Sequence, residues 1–124
     1  MGGDNAPDAA IKGAIRASKE IDAQIILVGN EEIINSKIKE FYGKDSISEI
    51  TDKITIKHTT ETIEMEDVPT IAIKHKKDSS MVVGFKMLKE DEGDVFVSAG
   101  NSGALLTGAT LLVGRIKGID FFVK

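Results

Sequence analysis

Gln24-Ile25-Ile26-Leu27-Val28-Gly29-Asn30-Glu31-Glu32 decides the fold. Ile25 to Val28 is an unbroken apolar run, with no polar side to turn toward water, and predicts a strand buried on both faces. Gly29 ends the run. Asn30 is then a helix N-cap, and Glu31 and Glu32 place negative charge in the first turn of the helix that follows. Ile33, Ile34, Ile38 and Phe41 form the inner face of that helix, and Gly43 closes it in the left-handed conformation. Beyond it, Lys53 to His58 alternates, with Ile54 and Ile56 inward and Lys53, Thr55 and Lys57 outward. This predicts a half-buried strand near a sheet edge.

Working outward, residues 7–21 read as a helix, with Pro7 in its first turn and Ile11, Ala14, Ile15 and Ser18 on one face. Downstream, Pro69 starts a short helix through Lys76. Ser79 or Ser80 caps another, whose apolar face is Val82, Val83, Phe85, Met87 and Leu88 and whose end is Gly93. Asp94 to Ser98 reads as a strand, and Ala104 to Val113 as an apolar helix containing Gly108. The order is helix, strand, helix, strand, helix, helix, strand, helix. Strands alternating with helices imply right-handed crossovers and a mostly parallel sheet, the α/β class.

The composition agrees with one globular domain. There are 124 residues, 41% apolar and 29% charged, enough for a modest single core and too apolar for a disordered tail. The net charge of -4 argues against nucleic acid. With no cysteine, disulfides, thiolate metal sites and cysteine nucleophiles are excluded. No apolar run is long enough to span a membrane, and Met1 to Ala10 lacks the pattern of a secretory signal, so a cytoplasmic location is expected. The only histidines, His58 and His75, share no metal-binding spacing, and no metal or cofactor is expected.

Chemistry is sought in the loops. Ser98-Ala99-Gly100-Asn101-Ser102-Gly103 lies between a predicted strand and an apolar helix. Its glycines allow close backbone approach, and the N–H groups of the following helix would face an anion. Asn101 and Ser102 add side-chain donors. Neither standard phosphate motif fits: Ser102 breaks the dinucleotide fingerprint, and Ala109 stands where a P-loop needs lysine. The plainer alternative is a capping loop. Met1-Gly2-Gly3-Asp4-Asn5 is a second glycine-rich loop, in which Asp4 serves either chemistry or capping. Lys74 to Ser80 joins basic residues to a capped helix start, suiting a phosphate, an acidic carrier or simply a solvated helix end. Glu61, Glu64, Glu66 and Asp67 read as a solvated acidic loop, with the shaping of a lysine-rich site as the alternative. Arg115, one of only two arginines, suits a carboxylate or phosphate.

Taken in order, Met1 to Pro7, Lys77-Asp78-Ser79-Ser80-Met81-Val82, Val97-Ser98-Ala99-Gly100-Asn101-Ser102-Gly103-Ala104 and Gly114-Arg115-Ile116-Lys117-Gly118-Ile119-Asp120 resemble the N-terminal part of the bacterial phosphate acyltransferases. The resemblance covers residues 1–120 and leaves 121–124 as a divergent end. It implies transfer of a fatty acyl group from acyl carrier protein to inorganic phosphate. The acyl phosphate would pass to a membrane glycerol-3-phosphate acyltransferase in phospholipid synthesis. It implies a soluble homodimer, peripheral to the inner face of the membrane. It also implies a three-layer α/β/α, mostly parallel sheet, isocitrate/isopropylmalate dehydrogenase-like and phosphotransacetylase-like, incomplete in this chain. Catalytic roles fall on Asp4, Asn101 and Ser102. Substrate and phosphate binding falls on Gly2, Gly3, Asn5, Lys77, Ser79, Ser80, Gly100, Gly103 and Arg115. The family pattern has a strand before Met1 and a long continuation after Asp120, so a truncated fragment, inactive alone, is expected. The rival expectations are a stand-alone α/β module binding a phosphorylated ligand and a degenerate fragment with no function.

Overall fold

The computed structural model describes residues 5–44, 50 and 52–114. The first helix, α1 (Asp8–Glu20), turns Ile11 and Ile15 fully inward one turn apart, with Ser18 a turn further along the same face. The Ser18 hydroxyl donates to the Ile15 carbonyl at 2.7 Å, which satisfies a polar group on an otherwise apolar stripe.

Strand β1 (Ile25–Gly29) pairs in parallel with β2 (Ile54–His58), Ile25 opposite Ile54 and Gly29 opposite His58. Helix α2 (Glu31–Tyr42) lies in the connection between them. Its start is built as its sequence demands: the Asn30 side chain accepts from the Ile33 N–H at 3.1 Å. Its end turns at Gly43, whose φ of 75° a side chain would resist. His58 Nδ1 accepts from the Glu31 N–H at 3.1 Å, fastening the end of β2 to the start of α2.

Three further helices among the described residues pack on one another. They are α3 (Pro69–His75), α4 (Ser80–Lys89) and α5 (Ser102–Gly108), the last running on as a π-helical turn over Ala109–Val113. α5 packs on α3, the π-helical turn packs on α4, and α4 also touches β1. Gly108 lets α5 lie close to α3 and α4. A Cβ there would lie 3.1 Å from Ile73 Cδ1 and would press into the Phe85 ring.

Several sequence expectations are corrected. One core was expected, but the buried apolar residues form two clusters. Ile11, Ile15, Leu27, Ile34, Ile38, Ile50 and Ile54 lie between the two strands and α1 and α2. Ile63, Ala72, Ile73, Met81, Val82, Phe85 and Ala104 lie among α3, α4 and α5. β1 is not buried on both faces: Leu27 is covered while Ile26 is 37% exposed, because successive strand side chains point to opposite faces. Ile33 is 49% exposed, since it stands about 100° around α2 from Ile34. α4 stops at Lys89, four residues before Gly93, and Asp91 takes the left-handed turn at φ 58°. Asp94 to Ser98 is not a strand. Val95 and Val97 are 80% and 86% exposed, and among the described residues no strand pairs with this segment. A strand exists only through its partner's ladder, so an alternating sequence alone does not make one.

Candidate functional site

Asn101 is the N-cap of α5 and is 6% exposed. Its Oδ1 accepts from the Ala104 N–H at 3.1 Å. Its Nδ2 donates toward three backbone carbonyls, Glu64 at 3.1 Å, Met65 at 3.2 Å and Asp67 at 2.9 Å. The amide therefore joins the start of α5 to the acidic loop 64–67. In this conformation its N–H groups face those carbonyls. The cap leaves the backbone N–H groups of Ser102 and Gly103, in the first turn, without an intrahelical acceptor. Ser102 is exposed and Gly103 half-buried. Just before them, the Gly100 N–H donates to Ser98 Oγ at 3.1 Å, which curls the loop. Gly103 also has a packing reason: a Cβ would stand 2.8 Å from Pro69 Cγ.

The loop opposite is held from its other side. Lys76 Nζ, in the residue that ends α3, donates to the Thr62 carbonyl at 2.8 Å and to Asp67 Oδ2 at 2.6 Å. The same Asp67 oxygen accepts from the Glu64 N–H at 2.8 Å. The hydrogen bond from Lys76, then that from Glu64, holds the Asp67 carboxyl below its ordinary range. Sequence reading weighed an acidic loop shaping a lysine-rich site but did not name this pair; nothing local in the sequence links positions nine apart on a helix end and a loop.

Ser79 and Ser80 face a different segment. Ser79, fully buried, caps α4 by accepting from the Val82 N–H at 3.3 Å. The Ser80 N–H donates to the Glu61 carbonyl at 3.2 Å, and Glu61 and Ser79 form an isolated parallel bridge. Beside them Asp78 Oδ2 accepts from the Thr60 hydroxyl at 2.5 Å and the Thr60 N–H at 2.8 Å. These two bonds, the hydroxyl's first, hold the Asp78 carboxyl below its ordinary range. Lys77 is exposed at this corner.

Asn5 is exposed at the start of α1, where its carbonyl accepts from the Ala9 N–H at 3.0 Å. It lines an open cleft of about 560 Å³ with Asp8, Lys12 and Lys37. Lys37 Nζ lies 3.4 Å from both Asp8 and Glu40, and these partners, Glu40 first, raise its pKa. Gly2, Gly3, Asp4 and Arg115 lie outside the described residues, as does the stretch from Arg115 to Asp120. The structure thus gathers Gly100, Asn101, Ser102 and Gly103 at one helix start, while Ser79 and Ser80 stand at another. Among the described residues no group of three or more His, Asp or Glu side chains is arranged to hold a metal, and no helix is long and apolar enough to cross a membrane.

Comparison with known proteins supplies the family. A family model described as fatty acid synthesis protein matches residues 1–121. The phosphate acyltransferase of Acetivibrio thermocellus is 55% identical over 121 residues, covering 97% of this chain and 34% of the relative. Phosphate acyltransferases of Alkaliphilus oremlandii and Clostridioides difficile are 51% and 48% identical, each covering 97% of this chain and 34% of the relative. The chain spans about a third of the length of the curated relatives it matches.

Proposed function

The chain belongs to the fatty acid synthesis protein family, with relatives named phosphate acyltransferase, and from that premise we propose that it carries the phosphate-holding part of an acyl transfer site. The observation that supports this most is the 55% identity across 97% of the chain, which includes the loop 98–103. The acyl donor we propose is a fatty acyl thioester of acyl carrier protein, and the acceptor is inorganic phosphate. A phosphate oxygen bonds to the thioester carbonyl carbon as the carbon–sulfur bond breaks. The proton of hydrogenphosphate leaves with the thiolate, giving acyl phosphate and a free carrier thiol. No covalent enzyme intermediate is needed, so the absence of cysteine is no obstacle.

Such a reaction needs an anion held in line with the carbonyl and donors for the developing oxyanion. We assign the anion to the first-turn N–H groups of Ser102 and Gly103, with the Ser102 hydroxyl beside them and Gly100 allowing close approach. Asn101 shapes this loop through its four hydrogen bonds, and reaches substrate only by exchanging a carbonyl for it. Asp4, Gly2, Gly3, Asn5, Lys77, Ser79, Ser80 and Arg115 keep the proposed roles in catalysis and substrate binding that the family resemblance gives them. The three-layer α/β/α arrangement, the homodimer, the peripheral membrane association and delivery of the product to a membrane glycerol-3-phosphate acyltransferase belong to the same proposal.

The test uses a chimera in which residues 1–121 replace the matching span of the Acetivibrio thermocellus relative. Free carrier thiol should be released from an acyl-carrier-protein thioester in proportion to added phosphate. Release that ignores phosphate, or none from a folded chimera, would overturn the proposal.

A further inference from the structure

We propose that Asp67 and Lys76 are positioning residues for the glycine loop, setting the place of Gly100 to Gly103 through the acidic loop and Asn101. The proposal rests on the reading of residues 98–103 as the phosphate site. The connection is continuous. Lys76 Nζ bonds Thr62 O and Asp67 Oδ2, the Asp67 carbonyl accepts from Asn101, and Asn101 caps Ala104. Asp67 is the junction. Its carboxylate faces α3 and the Glu64 N–H, and its carbonyl faces the start of α5. The ends of the chain of bonds are anchored independently, because α3 and α5 pack directly, with Gly103 against Pro69. Loop 64–67 is thus clamped between two helices that already touch. The Lys76–Asp67 pair is the fastening that ties it to the end of α3.

This arrangement gives the pair a use beyond fastening a surface loop. The Asn101 amide has two N–H groups and three carbonyls within reach, so small shifts of loop 64–67 redistribute its bonds. Any such shift moves Oδ1, and with it the cap on Ala104 and the orientation of the adjoining Ser102 and Gly103 N–H groups. The carboxylate of Asp67 therefore acts on an anion held by α5 through the geometry of donors, although its own charge would repel that anion.

The experiment is amide NMR on the 124-residue chain, held at a concentration at which light scattering shows it monodisperse, with inorganic phosphate as the probe. Asp67→Asn and Lys76→Met should shift the Gly100, Gly103 and Asn101 side-chain signals before any phosphate is added. They should leave those of Ile34 and Ile38, in the other apolar cluster, in place. Both should weaken the phosphate response at Gly100 to Gly103 by about tenfold, the usual order for a partner that orients a ligand-holding group. The double variant should be no worse than either alone, and Lys76→Arg should restore the wild-type signals. Glycine-loop signals that stay unmoved in both variants overturn the positioning role. A wild-type chain that shows no phosphate response at these amides overturns the phosphate reading instead, and the unliganded spectra still decide the tether.

Discussion

Asn101 shows how much one side chain can settle. It is nearly buried, every polar atom on it is used, and one of its bonds closes a helix end. Asn101→Ala should cost about 2–3 kcal/mol, since it removes the cap and leaves buried carbonyls without donors. Asn101→Asp should cost more, because it keeps the cap acceptor but sets a carboxylate against three carbonyls. Urea denaturation of the two variants checks the order, and an aspartate variant as stable as wild type contradicts it. Asp78 offers a pH test. Its carboxyl titrates below the ordinary value because Thr60 donates to it twice. A depressed folded-state pKa contributes stability that is present above the unfolded value, about pH 4, and is lost as the pH falls below it. The melting temperature of wild type should therefore drop more steeply as the pH falls below about 4 than that of Asp78→Asn. Parallel curves would remove Asp78 from the account.

At the scale of elements, close helix contacts make the small residues of the second cluster sensitive. Gly108→Ala should destabilise by about 1–3 kcal/mol, because the new methyl meets Ile73 and the Phe85 ring. Gly13→Ala, on the open side of α1, should be neutral or stabilising, since nothing lies near its Cβ position. Thermal melts of the pair measure the contrast, and an equal effect of the two would show that the helix packing is looser than described. These elements were also the legible ones. α1 could be read from its face, Ile11 with Ile15, and α2 from a cap and a stop, Asn30 with Ile33 and then Gly43. The parallel pair β1 and β2 followed from the apolar runs on either side of a helix. Asp94 to Ser98 was misread because strand identity lies in a partner, and no sequence pattern supplies one. The glycine loop was visible as an unusual cluster of Gly, Asn and Ser before an apolar helix. The duty of Asn101 was not, because its three carbonyl acceptors sit 34 to 37 residues earlier. Asp67 and Lys76 were hidden for the same reason: each looks like an ordinary surface charge until the loop is folded.

Over the whole molecule, the described surface carries more apolar side chain than its two clusters absorb. Val95, Val97, Leu111 and Ile26 are all exposed, and among the described residues β1 and β2 form a two-stranded sheet. Exposed apolar residues beside unpaired backbone favour association. We expect the 124-residue chain to self-associate as its concentration rises, and Val95→Lys with Val97→Lys to reduce this without lowering the melting temperature. Light scattering over a concentration series decides it, and a wild-type chain that stays monodisperse would contradict the expectation. The chain spans about a third of the length of the Acetivibrio thermocellus relative, so activity is to be sought in the chimera with it. The most direct test there is the identity of the product, followed by phosphorus NMR with acyl-carrier-protein thioester and inorganic phosphate. A new acyl phosphate resonance that grows as the thioester is consumed is the predicted result; thioester consumed to free fatty acid, with phosphate unchanged, would contradict the account.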